Sequence, residues 1–269
     1  MKIGSREFDL KNNTYVMGIL NITPDSFSDG GSYTDTDAAL RHALVMADEG
    51  ADIIDIGGES TRPGHVPVSA DEEMSRIIPV LEAVKRETDI PVSIDTYKAE
   101  TAKEAIGKGA GLINDIWGLR FDHGEMAGVI ADSGVPCVLM HNRHEAVYYD
   151  LLEDMLTDLN ETLSIAKAAG IKEDKIILDP GIGFGKTYDD NITVLNNLGY
   201  FCKAGYPLLL GASRKSVIGN ALGLPADERL EGTIVTTVLA SLAGYSFVRV
   251  HDVAQNRRAL DMLRAINKS

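Results

Sequence analysis

The run YVMGILN, residues Tyr15–Asn21, is apolar along nearly its whole length and ends on an amide side chain. Seven further short apolar runs follow it along the chain: 51–57 (ADIIDIG), 91–95 (PVSID), 110–115 (AGLIND), 136–140 (PCVLM), 175–179 (KIILD), 207–211 (PLLLG) and 246–250 (SFVRV). Continuous apolar runs of this length are typical of strands that are buried on both faces of a parallel sheet. The pattern therefore predicts eight parallel strands.

Amphipathic segments separate these runs and predict helices, because apolar residues recur in them at helical spacing. The clearest are residues 37–49, 70–87, 149–169, 230–243 and 253–266. Eight alternating strand and helix units over about 255 residues predict a (β/α)8 TIM barrel, a fold of the α/β class. A doubly wound sheet is the alternative, but the GxGxxG sequence usual after its first strand is absent. We expect residues 1–269 to form a single domain, with residues 1–14 as a short N-terminal hairpin.

The composition narrows the classes of partner. The chain has 26 Lys and Arg residues against 40 Asp and Glu residues, a formal net charge of −14. This acidity argues against nucleic-acid and membrane binding, since both need a basic surface. The two cysteines, Cys137 and Cys202, lack CxxC spacing and predict reduced thiols. Because the N-terminus lacks the apolar core of a signal peptide, we expect a cytoplasmic protein.

Polar residues stand at or beside the carboxyl ends of the predicted strands, where a TIM barrel places its chemistry. Asp95, Asn114 and Asp179 are three of them, and an unpaired polar group buried there costs ~1–3 kcal/mol. Carboxylates accept hydrogen bonds whereas an amide donates and accepts, so the set suits a flat heterocycle rich in N–H groups. A mutual network that plugs the barrel is the alternative, but apolar side chains fill a plug at lower cost.

Positive charge collects at or beside the carboxyl ends of the last two predicted strands. Lys215, Arg249 and His251 lie there, in a region of TIM barrels that often binds phosphate. We therefore predict an anion site, at which Lys215→Ala and Arg249→Ala impair turnover far more than folding. Asn21 adds one hard oxygen close by, and Mg²⁺ takes few protein ligands beside substrate phosphates, so Asn21 is the candidate metal ligand. Phe184 is a candidate apolar wall over a ring.

Taken in order, these motifs resemble those of the dihydropteroate synthase family. The matching segments are NITPDSFSDGG (21–31), GGESTRPG (57–64), SIDT (93–96), NDI (114–116), MH (140–141), DPGIGFGK (179–186), SRKS (213–216) and RVHDV (249–253). They span the chain from the first predicted strand to the last. The resemblance implies a transferase of folate biosynthesis, a pterin-binding TIM barrel. It would condense 6-hydroxymethyl-7,8-dihydropterin diphosphate with para-aminobenzoate and release pyrophosphate and dihydropteroate.

The resemblance also implies a role for each site residue. The pterin would be bound by Asp95, Asn114, Asp179, Lys215, Met140 and Phe184. The diphosphate would be bound by Arg249 and His251, and by Asn21 through Mg²⁺. The aminobenzoate would be bound by Ser216, Thr61, Arg62, Pro63 and Phe27. Asp95, Lys215 and Arg249 would be catalytic. Asp95 would stabilise a pterin cation, and Arg249 would meet the departing charge together with His251 and Mg²⁺.

Two other functions share part of this pattern. A pterin-dependent methyltransferase that works with a corrinoid protein would share Asp95, Asn114 and Asp179, but it has no use for the SRK and RVH segments. A non-catalytic relative should have lost some of these residues, and this chain keeps them. The family resemblance further implies a homodimer, for which residues 230–243 and 253–266 could supply the interface, and inhibition by sulfonamides, which mimic aminobenzoate.

Overall fold

The computed structural model describes residues 1–22, 32–59 and 66–267, with side chains from residue 36 onward in the second range. An antiparallel hairpin of β1 (Lys2–Ile3) and β2 (Arg6–Glu7) comes first. Eight parallel strands follow within these ranges: β3 (Tyr15–Asn21), β4 (Ile53–Gly57), β5 (Val92–Asp95), β6 (Leu112–Asp115), β7 (Cys137–Met140), β8 (Ile176–Asp179), β9 (Leu209–Leu210) and β10 (Phe247–Val250). The helices between and after them are α1 (Ser32–Asp48), α2 (Ala70–Glu87), α3 (Ala99–Gly107), α4 (Glu125–Ser133), α5 (Leu151–Ala169), α6 (Tyr188–Asn196), α7 (Ser216–Leu222), α8 (Leu230–Leu242) and α9 (Val253–Asn267).

The eight strands close into a barrel. Strands β3 to β8 pair in chain order, and β10 lies between β3 and β9. The remaining gap between β8 and β9 is bridged at Leu178 and Leu208, beside a hydrogen bond from the Leu178 N–H to the Pro207 carbonyl at 2.9 Å. The predicted α/β TIM barrel with its N-terminal hairpin is therefore confirmed.

The element boundaries differ from the predicted ones in a few places. Three strands begin after Pro91, Pro136 and Pro207 rather than at them, because proline has no N–H for the sheet ladder. Helix α1 begins at Ser32 rather than at residue 37. Residues 32–36 are mostly polar and show no apolar residues at helical spacing, so the pattern marks the helix only from residue 37 onward.

Apolar side chains fill the N-terminal half of the barrel. One layer comprises Met17, Ile53, Leu112, Val138, Ile177, Leu209 and Phe247, and Ile3 and Phe8 from the hairpin region pack beneath it. The Phe8 ring lies 4.8 Å from that of Tyr15 and 5.8 Å from that of Phe247, centre to centre. Burying each such side chain is worth ~1.5–3 kcal/mol, so the hairpin closes this end of the barrel.

The helices cover the outside of the sheet. On α2, Ile77, Leu81 and Val84 are fully buried and share one apolar cluster with the outward side chains of β4 and β5. Ser69 caps the start of the helix, because its hydroxyl accepts the Glu72 N–H at 3.2 Å. In the described part of the chain, no helix combines the length and apolarity that crossing a membrane requires.

Candidate active site

Side chains alternate between the two faces of a strand, so inward positions recur every second residue. Along each strand, the inward-facing residues that follow the apolar layer towards the carboxyl end are mostly polar. They include Asp55, Ser93, Asn114, Asp179 and Arg249, with Asn21, Asp95 and Met140 at the same or the next step. The barrel is thus apolar at the end closed by the hairpin and polar at the opposite mouth.

Arg249 lies at the centre of this polar layer. Its Nε donates to Asp55 Oδ2 and its Nη2 donates to Asp95 Oδ2, both at 2.6 Å. Asn114 Nδ2 donates to the same Asp55 oxygen at 3.2 Å. All four side chains are largely or fully buried. Four residues from four strands therefore form one hydrogen-bonded cluster, which confirms that these strand ends converge.

The cluster leaves buried acceptors unused. In the described ranges, Asp55 Oδ1, Asp95 Oδ1 and Ser93 Oγ have no hydrogen-bond partner although they are buried. Such a group costs ~1–3 kcal/mol when nothing pairs with it. A network built only to plug the barrel would satisfy these atoms internally. The arrangement favours a ligand that brings donors to the carboxylates.

Burial and neighbouring charges shift the ionisation of this cluster. Burial raises the pKa of Asp95 to about 7, with Arg249 opposing the shift and Asp55 adding to it. Burial also raises the pKa of Asp179, again against a nearby cation, Lys215. For Arg249, burial favours the neutral form, but Asp55 and Asp95 outweigh it and raise the pKa above its usual range. Arg249 is therefore the fixed positive charge of the site.

Lys215 and Asp179 lie beside the polar layer at the same mouth of the barrel. Lys215 Nζ donates to the Ile182 carbonyl and lies 4.6 Å from the centre of the Phe184 ring. Asp179 Oδ1 accepts the Gly181 N–H at 2.7 Å. A Cβ on Gly211 would lie 3.6 Å from Asp179 Oδ2 and 4.0 Å from Lys215 Nζ, so both groups face this glycine. Burial lowers the pKa of Lys215 to about 8, against the pull of Asp179.

The remaining predicted anion and metal residues lie around the same mouth. His251 Nδ1 lies 3.0 Å from Ser213 Oγ, and the His251 N–H donates to that oxygen at 3.2 Å, which fixes the ring beside β10. Asn21 ends β3, paired with Gly57, which is in turn paired with Asp95. Its Oδ1 lies 3.6 Å from the point that a Cβ on Gly57 would occupy.

Apolar side chains form a cluster at the polar mouth of the barrel. Met140 is buried in a cluster with Tyr97 and Ile116, and Phe184 and Trp117 pack against it. Of the residues predicted to bind aminobenzoate, Ser216 is exposed at the start of α7, directly after Lys215. Phe27, Thr61, Arg62 and Pro63 lie outside the described residues, so their predicted placement stays a prediction.

Glu59, the last residue of the described range 32–59, is held by three hydrogen bonds. Its carboxylate accepts the Tyr97 hydroxyl at 2.8 Å, the Lys98 ammonium at 2.5 Å and the Val68 N–H at 3.1 Å. Lys98 also donates to buried Glu73 at 3.2 Å. These contacts tie residues 59 and 68 to the segment that follows Asp95.

Asp55 is the site residue that the sequence prediction missed. A prediction from the last residues of each apolar run does not reach Asp55, which lies two positions before the end of β4. The alternation of faces was the available signal, since Gly57 ends the strand and Asp55 shares its inward side. Glu59, Glu73 and Lys98 were missed as well, because nothing local marks them as partners.

Asp115, part of the NDI segment, shapes the backbone instead of joining the polar layer. Its Oδ1 accepts the Trp117 N–H at 2.8 Å and its Oδ2 accepts the Leu119 N–H at 2.7 Å. Leu119 has a left-handed backbone conformation, with φ of 65°. The two hydrogen bonds therefore hold a turn that an ordinary residue enters at a cost.

Replacing Asp115 by asparagine should destabilise the chain while changing little in volume. The amide nitrogen cannot accept an N–H, so one of the two backbone donors is left buried without a partner. We expect the free energy of unfolding to fall by ~1–3 kcal/mol, measured by urea denaturation. Asp261→Asn, on the exposed face of α9, is the control and should leave the midpoint unchanged; an equal loss in both variants would contradict the assignment.

Comparison with known proteins agrees with this geometry. Residues 17–251 match the profile of the family described as "Pterin binding enzyme". The chain is 59% identical over 263 residues to a dihydropteroate synthase of Clostridium beijerinckii, covering 97% of each chain. A structure of dihydropteroate synthase from Clostridium difficile in the presence of pteroic acid matches with a TM-score of 0.95 and 51% identity, covering 98% of this chain and 100% of that one. The Xanthomonas albilineans enzyme with 4-aminobenzoic acid matches with a TM-score of 0.92 and 43% identity, covering 96% and 94%. The chain therefore belongs to the dihydropteroate synthase family of pterin binding enzymes.

Proposed function

We propose that the chain condenses 6-hydroxymethyl-7,8-dihydropterin diphosphate with para-aminobenzoate in folate biosynthesis, at the polar mouth of the barrel. The reaction class follows from the family: the chain is a transferase that forms a C–N bond and releases pyrophosphate. The observation that carries the proposal is the buried layer in which Asp55 and Asp95 each keep one carboxylate oxygen without a partner in the described ranges. Those oxygens are acceptors for a ligand with several N–H groups.

In this proposal the pterin lies over the polar layer. Asp95 and Asp179 accept its ring N–H groups, Asn114 both donates and accepts, and Lys215 donates to a ring oxygen or nitrogen. Met140 and Phe184 contact the faces of the ring, because both belong to the apolar cluster at the mouth. Deep burial strengthens each hydrogen bond, since the site has a lower dielectric than water.

The diphosphate would lie beside Arg249 and His251, with Asn21 as the protein ligand of Mg²⁺. In the described part of the chain no group of three His, Cys, Asp or Glu residues could hold a metal by itself. A single hard oxygen at the rim still fits Mg²⁺, which keeps several waters and binds mainly through substrate phosphates. When bound, the ion supplies positive charge to the leaving oxygens.

The side chains can assist a reaction that proceeds by ionisation. Breaking the bond between the methylene carbon and the diphosphate oxygen leaves positive charge on the pterin and negative charge on the leaving group. Asp95 stabilises the first electrostatically, and Arg249 and His251 counter the second. The aminobenzoate nitrogen then attacks the carbon and loses one of its protons to the departing pyrophosphate or to solvent, so no side-chain nucleophile is needed. Ser216 with Phe27, Thr61, Arg62 and Pro63 would bind the aminobenzoate, a proposal that rests on the sequence motifs.

Release of pyrophosphate tests the function directly. Purified protein is incubated with the pterin diphosphate, para-aminobenzoate and Mg²⁺, and pyrophosphate and dihydropteroate are quantified together. We expect both products in equal amounts, and neither without aminobenzoate. Methyl transfer from a methylated pterin to a corrinoid protein, or tight pterin binding without turnover, would contradict the proposal. A sulfonamide should compete with aminobenzoate in the same assay.

Removing Mg²⁺ should act mainly on the diphosphate substrate. With EDTA present, we expect KM for the pterin diphosphate to rise by at least about tenfold, because a charge-assisted contact to phosphate is lost. KM for aminobenzoate should change little. Excess Mg²⁺ should restore the rate, and an unchanged rate in EDTA would count against Asn21 as a metal ligand.

The outer helices support the proposal of a homodimer. Helix α8 exposes Val235, Leu239 and Leu242 by 58%, 44% and 60%, and α9 exposes Met262 by 62%. Contiguous apolar area on neighbouring helices is typical of an interface between copies. Both free cysteines are compatible with a cytoplasmic location, which we also propose.

Leu239→Asp should therefore convert a dimer into a monomer. A charge at the centre of an apolar interface is strongly unfavourable, so the sedimentation coefficient should fall to that of a 29.0 kDa chain. Val45→Asp, an equally exposed position on α1, is the matched control and should leave the assembly intact. A monomeric wild type would overturn this part of the proposal.

A further inference from the structure

The loop from Gly181 to Gly185, between β8 and α6, is held by side chains from outside it. The carbonyls of Gly181 and Phe184 each accept Lys186 Nζ at 2.9 Å. The Ile182 carbonyl accepts Lys215 Nζ, and the Gly185 carbonyl accepts the Tyr148 hydroxyl at 2.7 Å. All three glycines of the loop have positive φ, between 55° and 85°. Side-chain donors thus select one shape for a segment that has no secondary structure of its own.

Lys186 is the donor that acts on this loop twice. Its ammonium has three N–H groups, and the third meets His141 Nδ1 at 2.9 Å. All three protons therefore have acceptors inside the protein. Burial lowers the pKa of Lys186 to about 7, against the pull of Asp179. The neutral amine would have one donor too few for these three acceptors.

His141 is the only one of the three acceptors that could change its role, and its surroundings prevent this. Its Nε2 lies 2.9 Å from Asp158 Oδ2, which also accepts Arg143 Nε at 2.6 Å. An ionised carboxylate only accepts and an ammonium only donates, so Nε2 carries the proton and Nδ1 accepts from Lys186. Burial lowers the pKa of His141 to about 4, despite Asp158. A neutral imidazole thus connects Asp158 to Lys186.

We propose that Lys186, oriented by neutral His141, is a positioning residue of the pterin pocket, an inference that rests on the function proposed above. The loop it shapes carries three groups of that pocket. The Ile182 carbonyl and the Phe184 ring both contact Lys215, and the Gly181 N–H contacts Asp179. Lys186 spends its own donors on the loop and on His141, so it acts through these neighbours and not on the substrate.

Neighbouring atoms also restrict the conformation of the loop. A Cβ on Gly181 would collide with the His141 carbonyl oxygen, and one on Gly183 would lie 3.2 Å from Lys215 Cδ. The His141 N–H also donates to the Asp179 carbonyl at 2.8 Å. His141, the loop and the two pterin-facing residues are therefore in direct contact, so we expect a change in the shape of the loop to shift Lys215 and Asp179.

The test compares Lys186→Met with Lys172→Met. Methionine is also unbranched, is one heavy atom shorter than lysine, and removes all three donors. Lys172 is exposed and serves as the matched control. Binding of 6-hydroxymethylpterin is measured by calorimetry, and both KM values are measured in the pyrophosphate assay. For Lys186→Met we expect the pterin Kd and the KM for pterin diphosphate to rise by about 10- to 100-fold. The KM for aminobenzoate should stay within about twofold of the wild-type value.

Two further variants keep the inference testable if Lys186→Met folds poorly. Tyr148→Phe removes only the hydrogen bond to Gly185 and should raise the pterin Kd by about threefold, without loss of the folded state. Lys186→Arg retains a cation and should recover part of the binding. Equal pterin binding by Lys186→Met and wild type, or equal changes in both KM values, would overturn the inference. If the wild type binds pterin but releases no pyrophosphate, the proposed function fails while this inference survives.

Discussion

Substituting Arg249 by alanine is expected to remove activity and a large part of the stability together. Arg249 is the shared partner of Asp55 and Asp95, at 2.6 Å from each. Truncating one partner of a buried ion pair leaves an uncompensated charge, at a cost of ~3–5 kcal/mol. The sequence alone predicts that Arg249→Ala impairs turnover far more than folding, whereas these two buried ion pairs predict a large loss of stability as well. Urea denaturation and the pyrophosphate assay measure the two effects.

A double variant separates the loss of stability from the loss of activity. Asp55→Asn removes one of the two carboxylates that Arg249 neutralises, so Asp55→Asn combined with Arg249→Ala should be more stable than Arg249→Ala alone. Turnover should stay lost in both, because the fixed positive charge is absent. Arg258→Ala, on the exposed side of α9, is the control and should change neither quantity. If Arg249→Ala unfolds at the same urea concentration as the wild type, the Asp55–Arg249–Asp95 cluster does not stabilise the fold as proposed.

Lys215→Ala is expected to lower kcat/KM for the pterin diphosphate by about 100-fold or more, as expected when a charged hydrogen-bond donor is lost from a buried site. The loss of stability should be smaller than for Arg249→Ala, because Lys215 is bonded to the Ile182 carbonyl and leaves no salt-bridged carboxylate behind. Lys215→Arg should restore little, since a planar guanidinium does not reproduce a compact ammonium.

The pH profile provides a second measurement on Lys215. Burial lowers its pKa to about 8, so the ammonium predominates below that pH and the neutral amine above it. If the charge is needed, kcat/KM falls as the pH rises through about 8. The part of the fall centred near pH 8 should be absent from the residual activity of Lys215→Ala, whereas a fall near pH 7 should remain, because burial lowers the pKa of Lys186 to about 7. Lys172→Ala should keep the wild-type profile, and a wild-type rate that is flat to pH 9.5 would contradict a role for the charge.

The sequence predicted the barrel closely because the signal for each strand is local. Tyr15–Asn21 was predicted with its observed bounds, since a continuous apolar run between polar segments has few other structures open to it. The position of the polar mouth also followed, because Asp95, Asn114 and Asp179 stand at the ends of such runs. The prediction weakened where local pattern says little, as at the start of α1.

The partners within the site could not be predicted in the same way. Arg249 is bonded to Asp55 and Asp95, which lie 194 and 154 positions away in the chain. Only closure of the barrel brings β10 within reach of β4 and β5. The contact of Lys186 with His141, 45 positions earlier, depends on the pairing of the neighbouring strands β7 and β8. Residue types were therefore predictable, but the pairs that share a proton or a charge were not.

The β1–β2 hairpin has a kinetic consequence. Because Ile3 and Phe8 fill the far end of the barrel, both reactants must arrive, and both products must depart, through a single opening. The molecule that lies against the polar layer is the deeper of the two and must enter before the other covers it. Initial-rate kinetics should accordingly show an ordered addition in which the pterin diphosphate binds first. An inhibitor that binds in the pterin pocket should compete with the pterin diphosphate and not with aminobenzoate.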